Sequence, residues 1–139
     1  YIQGLGRRYD IRKLAIDTYR YALLKRALEG IGFTAKEKKI KLITQRDIIQ
    51  VVPVIDSCFV NHNFVWGDNP VLRWGCNNTK LISYGRKEGA DKGSFVYAKI
   101  ESKSRKTDPW MSLVMSMCVE SELDSAVKAP LYSLPVITI

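Results

Sequence analysis

Between Ile11 and Gly32 the apolar pattern changes period at a single acidic residue, and this junction constrains the fold more than any other stretch. The run IRKLAID gathers Ile11, Leu14, Ala15 and Ile16 and ends at Asp17, the density of a short buried strand. TYRYALLKRALEGIG then takes helical spacing. Thr18 is placed to cap the helix, Leu23, Leu24, Ala27 and Leu28 share a face, and Gly30 and Gly32 stop it. A strand, an acid and a helix in direct succession predict an α/β unit.

The flanking sequence supplies further elements of the same kind. Tyr1 to Tyr9 reads as a helix end interrupted by Gly4 and Gly6. KKIKLIT, residues 38–44, alternates Ile40 and Leu42 against Lys39 and Lys41 and predicts a second strand. Thr44 and Asp47 then form a capping-box start, with Asp where Glu or Gln is usual. The helix they open carries Ile48, Ile49, Val52, Ile55 and Phe59, and Pro53 within it is expected to kink or divide it. After a connector at 61–69, PVLRWGC predicts a short helix with Pro70 in its first turn. TKLISYG and FVYAKI read as strands joined by the Gly-rich, charged loop RKEGADKGS. ESKSRK follows as an exposed basic loop. Thr107 is placed to cap a last helix with Pro109 near its start and Trp110, Leu113, Val114, Met117 and Cys118 on its apolar side. The tail beyond Ala129 holds two prolines and ends in VITI, an edge strand, a partner-binding segment, or simply the point at which the chain stops.

Composition excludes several classes of protein. With 139 residues, 46% hydrophobic and 26% charged, the chain suits one domain with a core and is no disordered tail. No apolar run approaches the roughly 20 residues that cross a bilayer. The opening lacks the features of a secretory signal and an initiator Met, so residue 1 reads as an internal position of a longer chain. Cys58, Cys76 and Cys118 form no CxxC pair, arguing against a disulfide framework or zinc site and for a reducing compartment. His62 is the only histidine, and Asn77-Asn78-Thr79 reads as a chance glycosylation pattern. The net charge of +8 favours an anionic partner, nucleic acid before a membrane surface.

Two carboxylates stand where chemistry is usually placed. Asp17 ends an apolar strand, the position at which open α/β sheets hold ligands. Asp108 starts the last helix, directly after a run containing Lys99, Lys103, Arg105 and Lys106. If the two converge, an oxygen-rich site without His or Cys suits Mg²⁺ or Mn²⁺. Two such ions about 4 Å apart activate water and stabilise the leaving oxygen in phosphodiester hydrolysis. The plainer reading is equally specific: an Asp at a strand end often makes a turn, an Asp in a first helical turn answers the helix dipole, and a basic run is commonly a solvated loop. The sequence contains no GxxxxGK[ST], GxSxG or HExxH motif, and GLGRRY lacks the third glycine of a dinucleotide fingerprint.

Taken together, three blocks resemble one family. YDIRKLAIDTYRYALLKRALEGIGF is similar to the strand–acid–helix block of the C-terminal nuclease domain of the terminase large subunit of tailed bacteriophages. DNPVLRWGCNN resembles that family's Asn-Pro-Val-Leu-x-Trp segment followed by an Asn. KGSFVYAKIESKSRKTDPWMSLVMSM is similar to its closing block, a Lys-bearing strand before Lys-x-Asp and an apolar helix. The order and spacing of the blocks carry the likeness over residues 9–118, about four fifths of the chain.

The resemblance implies a ribonuclease-H-like α/β nuclease, a mixed sheet flanked by helices, with residues 1–139 as a single partial domain lacking its first strands. It implies cutting of concatemeric double-stranded viral DNA during genome packaging, in the host cytoplasm, with Mg²⁺ or Mn²⁺ as cofactor. The viral portal and the small terminase subunit are the implied protein partners. Asp17 matches the second catalytic acid and Asp108 the last; the first has no counterpart here, so weak metal binding and poor cutting are expected. Lys99, Lys103, Arg105 and Lys106 would hold the phosphate backbone, and Lys92 adds to the positive charge near Asp108 in the sequence. Asp91 is a further carboxylate, with loop solvation as its plainer role. Without the first strands, IRKLAID exposes an edge and part of an apolar face, so the chain is either a fragment or forms an oligomer through that edge. The alternative function is a non-catalytic basic module that grips DNA or docks on the portal.

Overall fold

The structure, a computed structural model, describes residues 1–65, 67–85 and 94–123. Its elements run α1 (Ile2–Leu5), β1 (Leu14–Asp17), α2 (Thr18–Glu29), β2 (Ile40–Ile43), α3 (Gln45–Val60), α4 (Pro70–Asn77), β3 (Thr79–Tyr84), β4 (Ser94–Lys99) and α5 (Asp108–Glu120). This is a mixed α/β fold. Asp91, Lys92 and the tail beyond Ala129 lie outside the described residues.

The strands form two small sheets of opposite sense. β1 and β2 pair in parallel, Leu14 opposite Ile40 and Asp17 opposite Ile43. A parallel pair needs a long crossover, and α2 supplies it. β3 and β4 pair antiparallel, Thr79 opposite Lys99 and Tyr84 opposite Ser94. In the parallel pair the two-residue period turns Leu14, Ile16, Ile40 and Leu42 to one face and Ala15, Asp17, Lys41 and Ile43 to the other. Both strands contact α2 and α5, and Ala15 and Ile43 join the core that α5 organises.

That core centres on α5. Trp110, Val114 and Cys118 recur every fourth residue and are buried, together with Val119. They meet Ile43 from β2 and Val51 and Ile55 from α3. The Trp110 ring lies 5.5 Å from that of Tyr97 on β4, edge to face, and 5.9 Å from that of Phe59 on α3. α4 packs against the start of α5 through Gly75, where an added Cβ would stand 3.0 Å from the Trp110 backbone nitrogen. Here glycine is needed for close approach.

Several sequence expectations change in the structure. Thr18 does not cap α2: Asp17 does, its Oδ1 accepting from the Tyr19 N–H at 2.8 Å. The face assigned to α2 is largely open, since Leu28 is buried but Leu23 is 80% exposed and Leu24 and Ala27 are exposed too. β1 has β2 as its one strand partner among the described residues, so α2 has only two short strands to cover. On β2 Ile40 is buried as expected, but so is Ile43 on the opposite face, while Leu42 is exposed and Lys41 lies on the core side. Pro53 does not divide α3, which runs unbroken from Gln45 to Val60. The proline is exposed and Val51, Val52 and Ile55 around it are buried, so tertiary packing holds the helix across the missing N–H. Thr107 occupies the N-cap position of α5 without a side-chain capping bond. Gly4 lies within α1 and does not interrupt it.

The contrast between α5 and α2 is measurable. Trp110→Ala is expected to lower stability by about 3–5 kcal/mol, and Leu23→Ala by less than about 0.5 kcal/mol, in urea denaturation. A large loss at Leu23 would mean that α2 is covered.

Candidate functional site

At the carboxyl end of the parallel pair lies an open cleft of about 560 Å³. Asp17 enters it from the end of β1, Thr44 and Gln45 from the residues that follow β2, and Asp108 and Ser112 from the first turns of α5. Ile43, Ile48, Met111 and Met115 make its apolar wall. A second hollow of about 690 Å³ opens toward α2 and is also bordered by Asp17, Asp108 and Met115, with Leu24 and Leu28 on its far side. The two carboxylates, 91 positions apart in the chain, border both depressions, where α5 packs on β1.

Each carboxylate also has a local job. Asp17 closes the N-terminus of α2 through its bond to the Tyr19 amide. Asp108 sits in the first turn of α5, where a negative charge is favoured by the helix dipole. Its carbonyl accepts from Ser112 Oγ at 2.9 Å. Asp108 thus takes the plainer role expected of it, whereas Asp17 caps a helix where a turn was expected. Convergence is the additional fact, and neither helix start requires it.

The four basic residues lie outside the cleft. Lys99 ends β4, and Lys103, Arg105 and Lys106 occupy the exposed loop that leads into α5. Arg105 pairs with Glu101, Nε to Oε1 at 3.6 Å. Among the described residues Lys99, Lys103 and Lys106 have no ion-pair partner, leaving three positive charges exposed just before Asp108.

Two features escaped sequence reasoning. Asn78, at the end of α4, is 1% exposed and hydrogen-bonds into the basic loop. In the sequence it is one of two adjacent asparagines after an apolar helix, and nothing local marks it as buried. The second is an ion-pair cluster that ties the end of α5 to the parallel pair. Glu122 accepts from Lys13, just before β1, and from Lys41 on β2 at 2.5 Å. Lys41 also reaches the Cys118 carbonyl at 3.0 Å and lies 3.6 Å from Asp47. The two lysines hold the Glu122 carboxyl below its usual value of 4.5, and the Thr44 hydroxyl lowers that of Asp47. Lys41 is raised above 10.5, chiefly by its bond to Glu122.

Among the described residues no three His, Cys, Asp or Glu side chains gather closely enough to hold a metal ion. No described helix is long and apolar enough to cross a membrane. Compared with models of protein families, with curated proteins and with solved structures, the chain matches none.

Two predictions follow from this geometry. Because Asn caps a helix as well as Asp does, Asp17→Asn is expected to leave thermal stability nearly unchanged, whereas Asp17→Ala costs about 1 kcal/mol. The second concerns acid. Glu122 and Asp47 have folded-state pKa values below their ordinary 4.5 and 3.8, so their contribution is complete above that range and is lost as pH falls through the lowered values. Lys41, raised above 10.5, loses its contribution only as pH rises through its folded value. Thermal melts should therefore show a stability plateau that falls off below the ordinary carboxylate range. Glu122→Gln should lower the plateau by about 1 kcal/mol, as exposed ion pairs do, and flatten the acid limb. An identical acid limb in the variant would remove Glu122 from the account.

Proposed function

We propose that this chain is part of a metal-dependent DNA endonuclease of the ribonuclease-H-like type, the nuclease region of a phage terminase large subunit. The observation that carries this reading is the shared cleft: Asp17 and Asp108 line it together at the carboxyl end of a parallel strand pair. That is where α/β sheets bind ligands, and the two residues are the ones the terminase-like blocks nominate.

The donor set fits a hard divalent cation. Carboxylate, hydroxyl and amide oxygens of Asp17, Asp108, Ser112 and Gln45 border the cleft, with no thiol or imidazole among its lining. Asp17 and Asp108 would hold Mg²⁺ or Mn²⁺, and a cation with two carboxylates keeps several waters. When bound, such ions activate water and stabilise the leaving oxygen of a phosphodiester. The residues of the chain do the rest. The Tyr19 amide fixes the Asp17 carboxylate, burial of α5 fixes Asp108, and Lys99, Lys103, Arg105 and Lys106 attract the DNA backbone before the cleft is reached. In this reading the chain works on concatemeric viral DNA in the host cytoplasm, beside the portal and the small terminase subunit.

A second reading has its own observation. The exposed, unpaired lysines of the loop lie outside the cleft, as a basic module that binds DNA without cutting it, or docks on the portal, would have them. One experiment separates the two. Mn²⁺ binding is followed by the loss of its free electron-paramagnetic signal, alongside nicking of supercoiled plasmid. The nuclease reading expects weak Mn²⁺ binding, reduced at least about tenfold by Asp17→Asn and by Asp108→Asn, and slow nicking that Asp108→Asn abolishes. Mn²⁺ binding unchanged in both variants, with DNA still bound, would sink it in favour of the binding module.

A further inference from the structure

We infer that Asn78 is a positioning residue that aims Arg105 at a DNA phosphate, making this guanidinium the one oriented phosphate contact of the basic loop. The inference rests on the nucleic-acid part of the reading above, which already includes Arg105, and adds the positioning residue Asn78 and a fixed orientation for that contact.

Asn78 is a buried polar side chain, and burial requires its amide to be used at both ends. Its Nδ2 donates to the Lys106 carbonyl at 3.1 Å, and its Oδ1 accepts from Arg105 Nη1 at 3.3 Å. Its backbone carbonyl accepts from the Ile100 amide at 2.9 Å. Its own N–H turns back to the Trp74 and Gly75 carbonyls, locking it to the end of α4. One residue thus ties down both ends of the loop between β4 and α5. The bond to Lys106 falls two residues before Asp108, so the frame that carries the guanidinium also carries the start of α5.

Arg105 is held on two edges. Asn78 takes Nη1, and Glu101 lies 3.6 Å from Nε, its carboxylate steadied by Ser104 Oγ at 2.5 Å. Nη2 has no partner among the described residues, and about half of the side chain remains exposed. A guanidinium carries five N–H donors in a rigid fork, so two anchored edges leave donors directed outward in a fixed plane. A pair of phosphodiester oxygens is the ligand that such a fork matches. Lys103 and Lys106 are different: flexible point charges that raise affinity for any polyanion without fixing where it lies. Because the orientation is built before binding, little ordering cost remains when the phosphate arrives.

The test is a double-mutant cycle on binding of the chain to a fluorescein-labelled duplex, read by anisotropy over a series of salt concentrations. Arg105→Lys keeps the charge but not the fork, and should weaken binding about fivefold to tenfold. Asn78→Ala should weaken it by a similar factor in the parent chain and by less than about twofold in the Arg105→Lys background. Equal losses in both backgrounds would show that Asn78 acts on the fold alone and would overturn the inference. Parent-like affinity of Arg105→Lys would overturn it too, and this exposed substitution decides the question even if Asn78→Ala does not fold. Absence of salt-dependent binding by the parent chain is a separate outcome, seen before any substitution: it removes the nucleic-acid reading and the inference with it.

Discussion

Burial of α5 is the constraint on which the rest of the structure depends. The helix presents Trp110, Val114 and Cys118 to a core that collects one residue from β2 and two from α3. The parallel pair contributes few buried side chains of its own. Two strands of four residues would be marginal in isolation, and contact with α5 supplies much of what a wider sheet would provide. The antiparallel ribbon depends on the same helix through Tyr97 against Trp110.

Because α5 is central, its two ends are fixed by different means. Before the helix, Asn78 holds the loop by hydrogen bonds in a buried setting, where an unmade bond is expensive. After it, Glu122 takes two lysines in a partly exposed setting, where each pair is weak and sensitive to pH and salt. The end bearing Asp108 is thereby the more rigidly held. Between them the two anchors set the helix against β1, and that placement brings Asp108 to Asp17.

Much of the local structure was legible in the chain itself. The Thr44–Asp47 capping box forms with both reciprocal bonds, Thr44 N–H to Asp47 at 2.8 Å and Asp47 N–H to Thr44 at 3.4 Å. Pro70 opens α4 behind Asn69, which accepts from the Leu72 amide at 3.0 Å. In the apolar stripe of α5, Trp110, Val114 and Cys118 are buried and Leu113 and Met117 partly so. Such features are local, governed by bonds within one turn or by a strong period. The errors had a different source. Leu23 and Leu24 share a helical face, but a face is buried only if another element covers it. Leu42 and Lys41 alternate correctly, yet which side of a strand points inward depends on which helix packs where. Asp17 and Thr18 are both competent caps, and the point at which β1 ends decided between them.

From the sequence alone, the α/β character, the α5 stripe and the standing of Asp17 and Asp108 as candidates could be read, because propensity, capping and periodicity act over a few residues. The tertiary structure alone decided that the two carboxylates share a cleft, that the basic loop stays outside it, and that Asn78 and Glu122 are anchors. Those are contacts between residues tens of positions apart. They arise when a helix chooses its neighbours, a choice made by summed burial over the whole core and not inscribed in any single segment.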